Sequence, residues 1–260
     1  GARRDLAQFR PNIVHIAAPD IIGHRAVTWA RRNRIPAVAS VHTRFDTYLA
    51  YYHLQALEPL ARGIMRRIYR RCDALLVPAE SIAAVLHAQR MNRHISIWSR
   101  GVDRDQFNPE RRDVEWRRSL GIGDDEFVIA FLGRIVMEKG LDVYADAIDA
   151  LKTRQVPHRA LIIGEGPARS WFEELLGPQA IFVGHQEKAG LARALASTDV
   201  LLNPSITETF GNVTLEAMAC GLPVVAAVAT GATSLVRDGE SGVLVVPGDT
   251  DGFAGALGGH

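Results

Sequence analysis

Cysteine is almost missing from this sequence: its 260 residues hold only Cys72 and Cys220, far apart and in no C-x-x-C spacing. That argues against a disulfide framework or a thiolate zinc site, and reduced thiols are the expectation. None of the nine histidines form an H-x-x-x-H pair that would set two imidazoles on one helix face, and no metal is expected. A surplus of charge is missing too. Against 29 Asp and Glu there are 30 Lys and Arg, a net charge of +1, which gives no global electrostatic case for nucleic acid. No apolar run reaches the roughly 20 residues needed to cross a bilayer. The opening residues GARRDL lack the apolar centre of a signal peptide. A soluble, cytoplasmic protein is the expectation.

What the sequence does have is short apolar runs alternating with amphipathic stretches. With 47% hydrophobic and 23% charged residues, the chain can bury one large core or two modest ones. Ile13–Ala17 and Pro36–Val41 read as strands, with a helical stretch over Arg25–Arg32 between them. A longer helical stretch over Leu54–Arg71 leads to a strand at Ala74–Pro78. Crossovers of this length join parallel neighbours. The rhythm breaks between Arg100 and Asp125, where glycines, Asn108-Pro109 and a charge-rich patch read as a connector over 101–125. A second series then begins: Phe127–Leu132, Ala160–Gly164, Ile181–Gly184, Val200–Asn203 and Val224–Ala227. These runs are short, branched and apolar, as strands buried on both faces should be. The expected fold class is α/β, with two doubly wound parallel-sheet domains in tandem over 1–100 and 126–260. Both ends read as cut: little precedes the first strand, and a last helix is only starting at Phe253.

Two loops carry the chemistry. The first is Gly133-Arg134-Ile135-Val136-Met137-Glu138-Lys139-Gly140, which follows a strand and precedes a helix. Ligands of open α/β sheets bind beyond the carboxyl ends of the strands, so two cations stand where a ligand would sit. A diphosphate suits a planar Arg fork and a Lys point charge. The plainer reading is a solvated loop whose cations pair with surface carboxylates. The second loop runs from Asn203 through Glu208 and Phe210-Gly211-Asn212-Val213 into a helix over Thr214–Cys220. Its backbone amides at Gly211–Val213 would offer an anion site. Glu208 in the loop and Glu216 in the first helical turn could each accept hydrogen bonds from a pair of hydroxyls, one on a sugar and one on a ribose. A plainer role for Glu216 is to favour the helix dipole.

With Glu208 and Glu216 seven residues apart, ETFGNVTLEAMACGLPVVA resembles the E-x7-E motif of the retaining GT-B glycosyltransferases of family four. GRIVMEKG resembles that family's phosphate loop. IIGEGP at 162–167, FVGH at 182–185 and DGESGVLVVPGD at 238–249 fall in the family's order. SRGVD at 99–103 resembles its crossover segment, and PNIVH at 11–15 with SVHTR at 40–44 its acceptor-side domain. Within the family the chain is similar to bacterial GDP-mannose-dependent alpha-mannosyltransferases and to sulfolipid synthase-like enzymes.

The resemblance implies two Rossmann-like domains, the first a partial acceptor-binding domain and the second a donor-binding domain without its last helices. It implies a hexosyl transfer, from GDP-mannose or alternatively a UDP-hexose, to a lipid or glycan hydroxyl with retention. A nucleotide-sugar-binding module without turnover is the alternative of another class. Arg134 and Lys139 would hold the diphosphate and stabilise the leaving group, with Gly133 beside them. Glu208 would bind donor-sugar hydroxyls, the amides of Phe210, Gly211, Asn212 and Val213 would cradle sugar and phosphate, and Glu216 would take the ribose. His185 and Gln186 would face the base, beside Gly164 and Gly166. His42 would lie near the donor sugar and the acceptor. No cofactor is implied, the nucleotide-sugar being a substrate. Two departures stand out: the family's N-terminal glycine-rich loop is not in this sequence, and Ser234 stands where many members carry an acid.

Other signals are weaker. Gly164-x-Gly166 has Arg169 at the third-glycine position of a dinucleotide fingerprint. Asp103-x-Asp105 and Asp249-x-Asp251 have the spacing of metal-dependent transferases, but neither follows a buried strand. Arg62, Arg66, Arg67, Arg70 and Arg71 lie on an amphipathic stretch, with 62, 66 and 70 on one face. Such a helix suits an anionic membrane surface, here the inner face of the plasma membrane, or an ordinary solvated face.

Overall fold

In the computed structural model, which describes residues 2–42, 55–229 and 231–258, the chain divides into two compact units, 1–100 and 101–260. Thr43, Arg44 and Leu54 of the expected elements lie outside the described residues.

The first unit holds one parallel sheet in the order β1-β2-β3-β4, from Val14–Ile16, Ala37–Ser40, Ala74–Val77 and Ile95–Ile97. Helix α1 (Ala2–Phe9) precedes it, and α2 (Ile21–Arg32), α3 (Glu58–Tyr69) and α4 (Glu80–Ala88) lie between successive strands. The carboxylate of Asp20 accepts from Gly23 N at 2.6 Å and so caps the start of α2. Along α3, Met65, Ile68 and Tyr69 recur at helical spacing and pack on Ala37, Ala39, Leu75 and Val77 of the sheet. The strand at 95–97 is absent from the sequence reading because its three residues are largely exposed and show no apolar run.

The second unit holds a six-stranded parallel sheet in the order β10-β9-β8-β5-β6-β7. Its strands are β5 (Val128–Leu132), β6 (Arg159–Ile163), β7 (Ile181–Gly184), β8 (Val200–Asn203), β9 (Val224–Ala227) and β10 (Gly242–Val245). The first of these, β5, pairs with β6 on one side and β8 on the other, so the strand order reverses beside it. That is the point at which doubly wound sheets open a crevice.

Helices α5 (Val114–Ser119), α6 (Leu141–Thr153), α7 (Arg169–Leu176), α8 (Lys188–Ala196), α9 (Asn212–Ala219) and α10 (Thr250–Gly258) complete the unit. Alternate strand residues feed two cores. Val128, Ala130, Leu161 and Leu201 meet Ala192, Leu195 and Ala217 of α8 and α9. Ile129, Phe131, Ile162 and Leu202 meet Tyr144, Phe172 and Phe253 from α6, α7 and α10. Burial on both faces is why these strands carry apolar runs rather than alternation.

The stretch expected as a connector, 101–125, folds as part of the second unit. Phe107 and Ile122 are buried in one of its cores. Arg117, only 1% exposed, donates to the carbonyls of Ser197 at 3.0 Å, Gly123 at 3.2 Å and Glu126 at 2.6 Å, and pairs with Asp199 at 3.2 Å. Asp199 also accepts from Val128 N at 2.8 Å and pairs with Arg112 at 2.7 Å. Charge density reads as linker in sequence, but here it supplies a buried, hydrogen-bonded ion cluster.

Candidate functional site

Three loops leave the carboxyl ends of the neighbouring strands β5, β6 and β8. The 133–140 and 164–168 loops are bound backbone to backbone. Gly133 N donates to Ile163 O at 3.1 Å, Ile135 N to Glu165 O at 2.9 Å and Ala168 N to Ile135 O at 3.2 Å. Gly164 has φ +146, and a Cβ there would stand 1.9 Å from Gly133 O; at Gly166 one would stand 2.2 Å from Ile135 O. Only hydrogen fits in that seam. The two glycines of IIGEGP therefore serve the first loop's shape.

The 203–212 loop is tied to the first by Thr207, whose hydroxyl donates to Glu138 O at 3.2 Å. Lys139 Nζ stands 2.9 Å from Glu208 Oε1, with 27% and 11% of the two side chains exposed. The cation's partner is thus the motif's own first glutamate rather than a random surface acid. Arg134 is largely exposed and only grazes Glu138, at 3.8 Å. Gly231 N donates to Glu208 O at 3.0 Å, which pins the backbone of that residue from the far side. Gly211, with φ +88, caps α9, whose first turn begins at Asn212, two residues earlier than the sequence pattern indicates. Glu216 consequently lies beyond that first turn, and the helix-dipole role does not apply to it. Burial, and then the negative charge of Glu208, pushes the Glu216 carboxyl up to about 7. The amides of Asn212 and Val213 remain at the helix start.

All three loops lie inside a match to a known family. The family described as Glycosyl transferases group 1 matches residues 126–259, and Glycosyltransferase Family 4 matches residues 1–106. The chain belongs to the family-four glycosyltransferases. The sulfoquinovosyl transferase SQD2 of Arabidopsis thaliana is 35% identical over 254 residues, 95% of this chain and 49% of that protein. A GDP-mannose-dependent alpha-mannosyltransferase of Corynebacterium glutamicum is 31% identical over 92% of this chain and 56% of its own length. The chain therefore spans about half the length of these curated relatives. Among solved structures, the sucrose-phosphate synthase of Thermosynechococcus elongatus superposes with a TM-score of 0.80 at 21% identity, covering 98% of this chain and 66% of that one. Anabaena Alr3699/HepE in complex with UDP gives 0.78 at 22%, covering 98% and 71%. The fold is that of the GT-B glycosyltransferases, two parallel-sheet α/β units of four and six strands.

The remaining sequence-predicted residues of this glycosyltransferase chain fall as follows. His185 is exposed and stands 3.3 Å from Glu187, while Gln186 turns back to donate to Val183 O at 2.7 Å. Phe210, within the 203–212 loop, is buried. In the first unit His42 follows β2; burial first, then the charges of Arg100 and His15, hold it below the usual histidine range. Asp103 accepts from the amides of Asp105 and Gln106 at 3.0 and 3.2 Å, and Asp249 from Gly252 N at 2.9 Å. Both D-x-D pairs thus place their first aspartate in a turn or a helix start. Both thiols are pushed up to about 11, chiefly by burial, which keeps them protonated and inert. Sequence reasoning missed Thr207 and Gly231. Their signal is faint: a hydroxyl-rich SITET run and a lone glycine, each meaningful only once the loops are in contact.

On α3, Arg62 stands 3.8 Å from Glu58. Met65, Ile68 and Tyr69 face inward, while Leu60, Ile64, Arg67 and Arg70 are exposed. Among the described residues no helix is long and apolar enough to cross a membrane.

Proposed function

We propose that this chain carries the donor site and part of the acceptor side of a retaining hexosyltransferase whose donor is GDP-mannose and whose acceptor is a lipid or glycan hydroxyl. The observation that carries the reading is the junction of the three loops, where Lys139 and Glu208 meet at 2.9 Å beside Glu216 and the amides opening α9. Lys139 and Arg134 offset the diphosphate charge, so cationic side chains do the work that a metal does in other transferases. Glu208 takes donor-sugar hydroxyls and is exchanged from lysine to sugar as the donor seats. Glu216 takes the ribose hydroxyls, Phe210–Val213 the sugar and phosphate, and the backbone at His185 and Gln186 the base. The bond from the anomeric carbon to the diphosphate oxygen breaks while the acceptor oxygen bonds on the same face. The acceptor proton passes to the departing diphosphate, so no enzyme nucleophile is needed. The mannosyl assignment rests on the likeness to the Corynebacterium glutamicum enzyme.

Calorimetric titration of the chain with GDP and UDP, repeated with Glu216→Ala, tests the donor. Saturable GDP binding that weakens in the variant supports the reading. A preference for UDP moves the donor to a UDP-hexose, and a folded chain that binds neither ends it.

The exposed Leu60, Ile64 and Arg67 of α3, with Arg70 at its C-terminal cap, also support contact with an anionic membrane on the cytoplasmic side. Flotation with vesicles containing phosphatidylglycerol should carry the chain upward, and Arg67→Glu with Arg70→Glu should abolish this. Indifference to lipid charge would refute the contact.

A further inference from the structure

A run of polar groups joins the two charged loops of the second unit and has no part in the transfer chemistry proposed above. It starts at Thr214, which is fully buried in the first turn of α9. Asn203, the last residue of β8, donates from Nδ2 to Thr214 Oγ1 at 3.1 Å. The other end of the same amide, Oδ1, accepts from Ser205 N at 3.3 Å. Ser205 and Thr207, 3% and 8% exposed, bring their hydroxyls within 3.3 Å of each other. Thr207 Oγ1 in turn reaches Glu138 O at 3.2 Å, one residue before Lys139.

The direction of the last two bonds follows from the hydrogens available. A carbonyl cannot donate and a threonine hydroxyl has one hydrogen, so Thr207 gives it to Glu138 O and accepts from Ser205. Ser205, Thr207 and Glu138 O thus form a one-way chain, in which each bond polarises the next. Each end of the run meets a group that can hold an anion. At one end α9 opens with the amides of Asn212 and Val213. At the other is the single 3-10 turn Met137–Lys139, which has no side-chain cap of its own. Thr207 binds that turn from outside, and Gly140 packs closely behind it: a Cβ there would stand 3.1 Å from Pro204 O. The two loops run in step, 138 meeting 207 through backbone and 139 meeting 208 through charge.

We propose that Ser205 and Thr207 are positioning residues of the donor site, a role that rests on the reading above, in which Lys139 holds the diphosphate. Their hydroxyl chain fixes the turn carrying Lys139 relative to the amides of α9, so that both can meet one diphosphate. In that reading Glu208 leaves Lys139 for the sugar as the donor seats, and the ion pair no longer places the lysine when it is needed. The Thr207 bond goes to backbone and is indifferent to this exchange. It therefore keeps the turn in place in the loaded site as well as in the empty one. Serine at 207 would supply the same hydroxyl, whereas valine keeps the branched shape and loses the donor.

The test is a double-mutant cycle on the whole chain, read by calorimetric titration with GDP, or with UDP if wild type prefers it. Thr207→Val should weaken binding about three- to tenfold, and Thr207→Ser should restore it. On a Lys139→Met background Thr207→Val should add no further loss, because the lysine it places is gone. A residue that merely stabilised the fold would cost the same on both backgrounds. Unchanged binding in Thr207→Val, or a loss that persists in full without Lys139, would overturn the proposal. If Lys139→Met binds too weakly to titrate, Thr207→Ser decides, and its failure to recover binding would overturn the role. Circular dichroism checks that the variants fold; should Thr207→Val not fold, Ser205→Ala takes its place in the cycle, with a smaller loss in the same direction. A folded wild type that binds neither nucleotide would instead overturn the donor-site reading, and the proposed role with it.

Discussion

Glu216 has its protonation midpoint at about 7, near working pH, and its partner in that shift is Glu208. Ribose hydroxyls donate, so the ligand prefers the carboxylate over the acid. Nucleotide binding should therefore tighten as pH rises through 7 and release protons near neutrality. Titrations in buffers of different ionisation enthalpy at pH 6, 7 and 8 should show this in wild type, and a flat profile in Glu216→Gln. For stability the sign is opposite. The native carboxyl holds its proton above the unfolded value of 4.5, so its contribution is complete below about 4.5 and is lost as pH rises towards 7 and beyond. Melting curves of wild type and Glu216→Gln should converge in acid and separate above neutrality, the glutamine form melting higher. Lys139 supports the other carboxylate. Lys139→Met removes a counter-charge from a side chain 11% exposed and should cost about 1–3 kcal/mol in urea unfolding, besides weakening diphosphate binding.

At the scale of elements, the loops are shaped by close backbone contact more than by side chains. Gly164→Ala should separate the 133–140 and 164–168 loops, because its Cβ would fall 1.9 Å from Gly133 O. A loss of about 2–4 kcal/mol in thermal or urea unfolding, together with lost nucleotide binding, is expected. Gly101→Ala, whose Cβ meets nothing within 4 Å and whose φ is not positive, should cost less than about 0.5 kcal/mol. A comparable effect of both would show that the seam is not tight.

The same elements show what sequence can and cannot convey. Strands buried on both faces, Val200–Asn203 and Val224–Ala227 among them, declare themselves by branched apolar runs, and their residue bounds agree with the sequence reading. Gly242–Val245 lies at the sheet edge and is half-exposed, so its short run was legible only as part of a family motif. The start of α9 was read two residues late because Gly211 caps it by a left-handed backbone rather than by a side chain. The site's charged residues were legible as letters. Their pairing was not, since Lys139 and Glu208 lie 69 positions apart.

At the scale of the whole molecule, Arg117 is the largest fully buried side chain among the described residues, and it belongs to the 101–125 stretch rather than to the family-matched core. Arg117→Ala should leave Asp199 and the carbonyls of Ser197, Gly123 and Glu126 short of donors, at a cost of about 3–5 kcal/mol in denaturant unfolding. Limited proteolysis should then open the chain between 101 and 125, with the first unit's protection unchanged. The same cluster decides where the molecule can be divided. The family profile begins at 126, and anyone cloning the second unit from that homology boundary would discard Arg112 and Arg117 while keeping the carboxylate they neutralise. A gene piece opening at Gly101 should yield soluble protein, and one opening at Glu126 should aggregate or be degraded in the cell. The autonomous unit is set by where its buried carboxylate finds its counter-ions, Arg112 and Arg117, which lie 14 and 9 residues upstream of the point where the second family match begins.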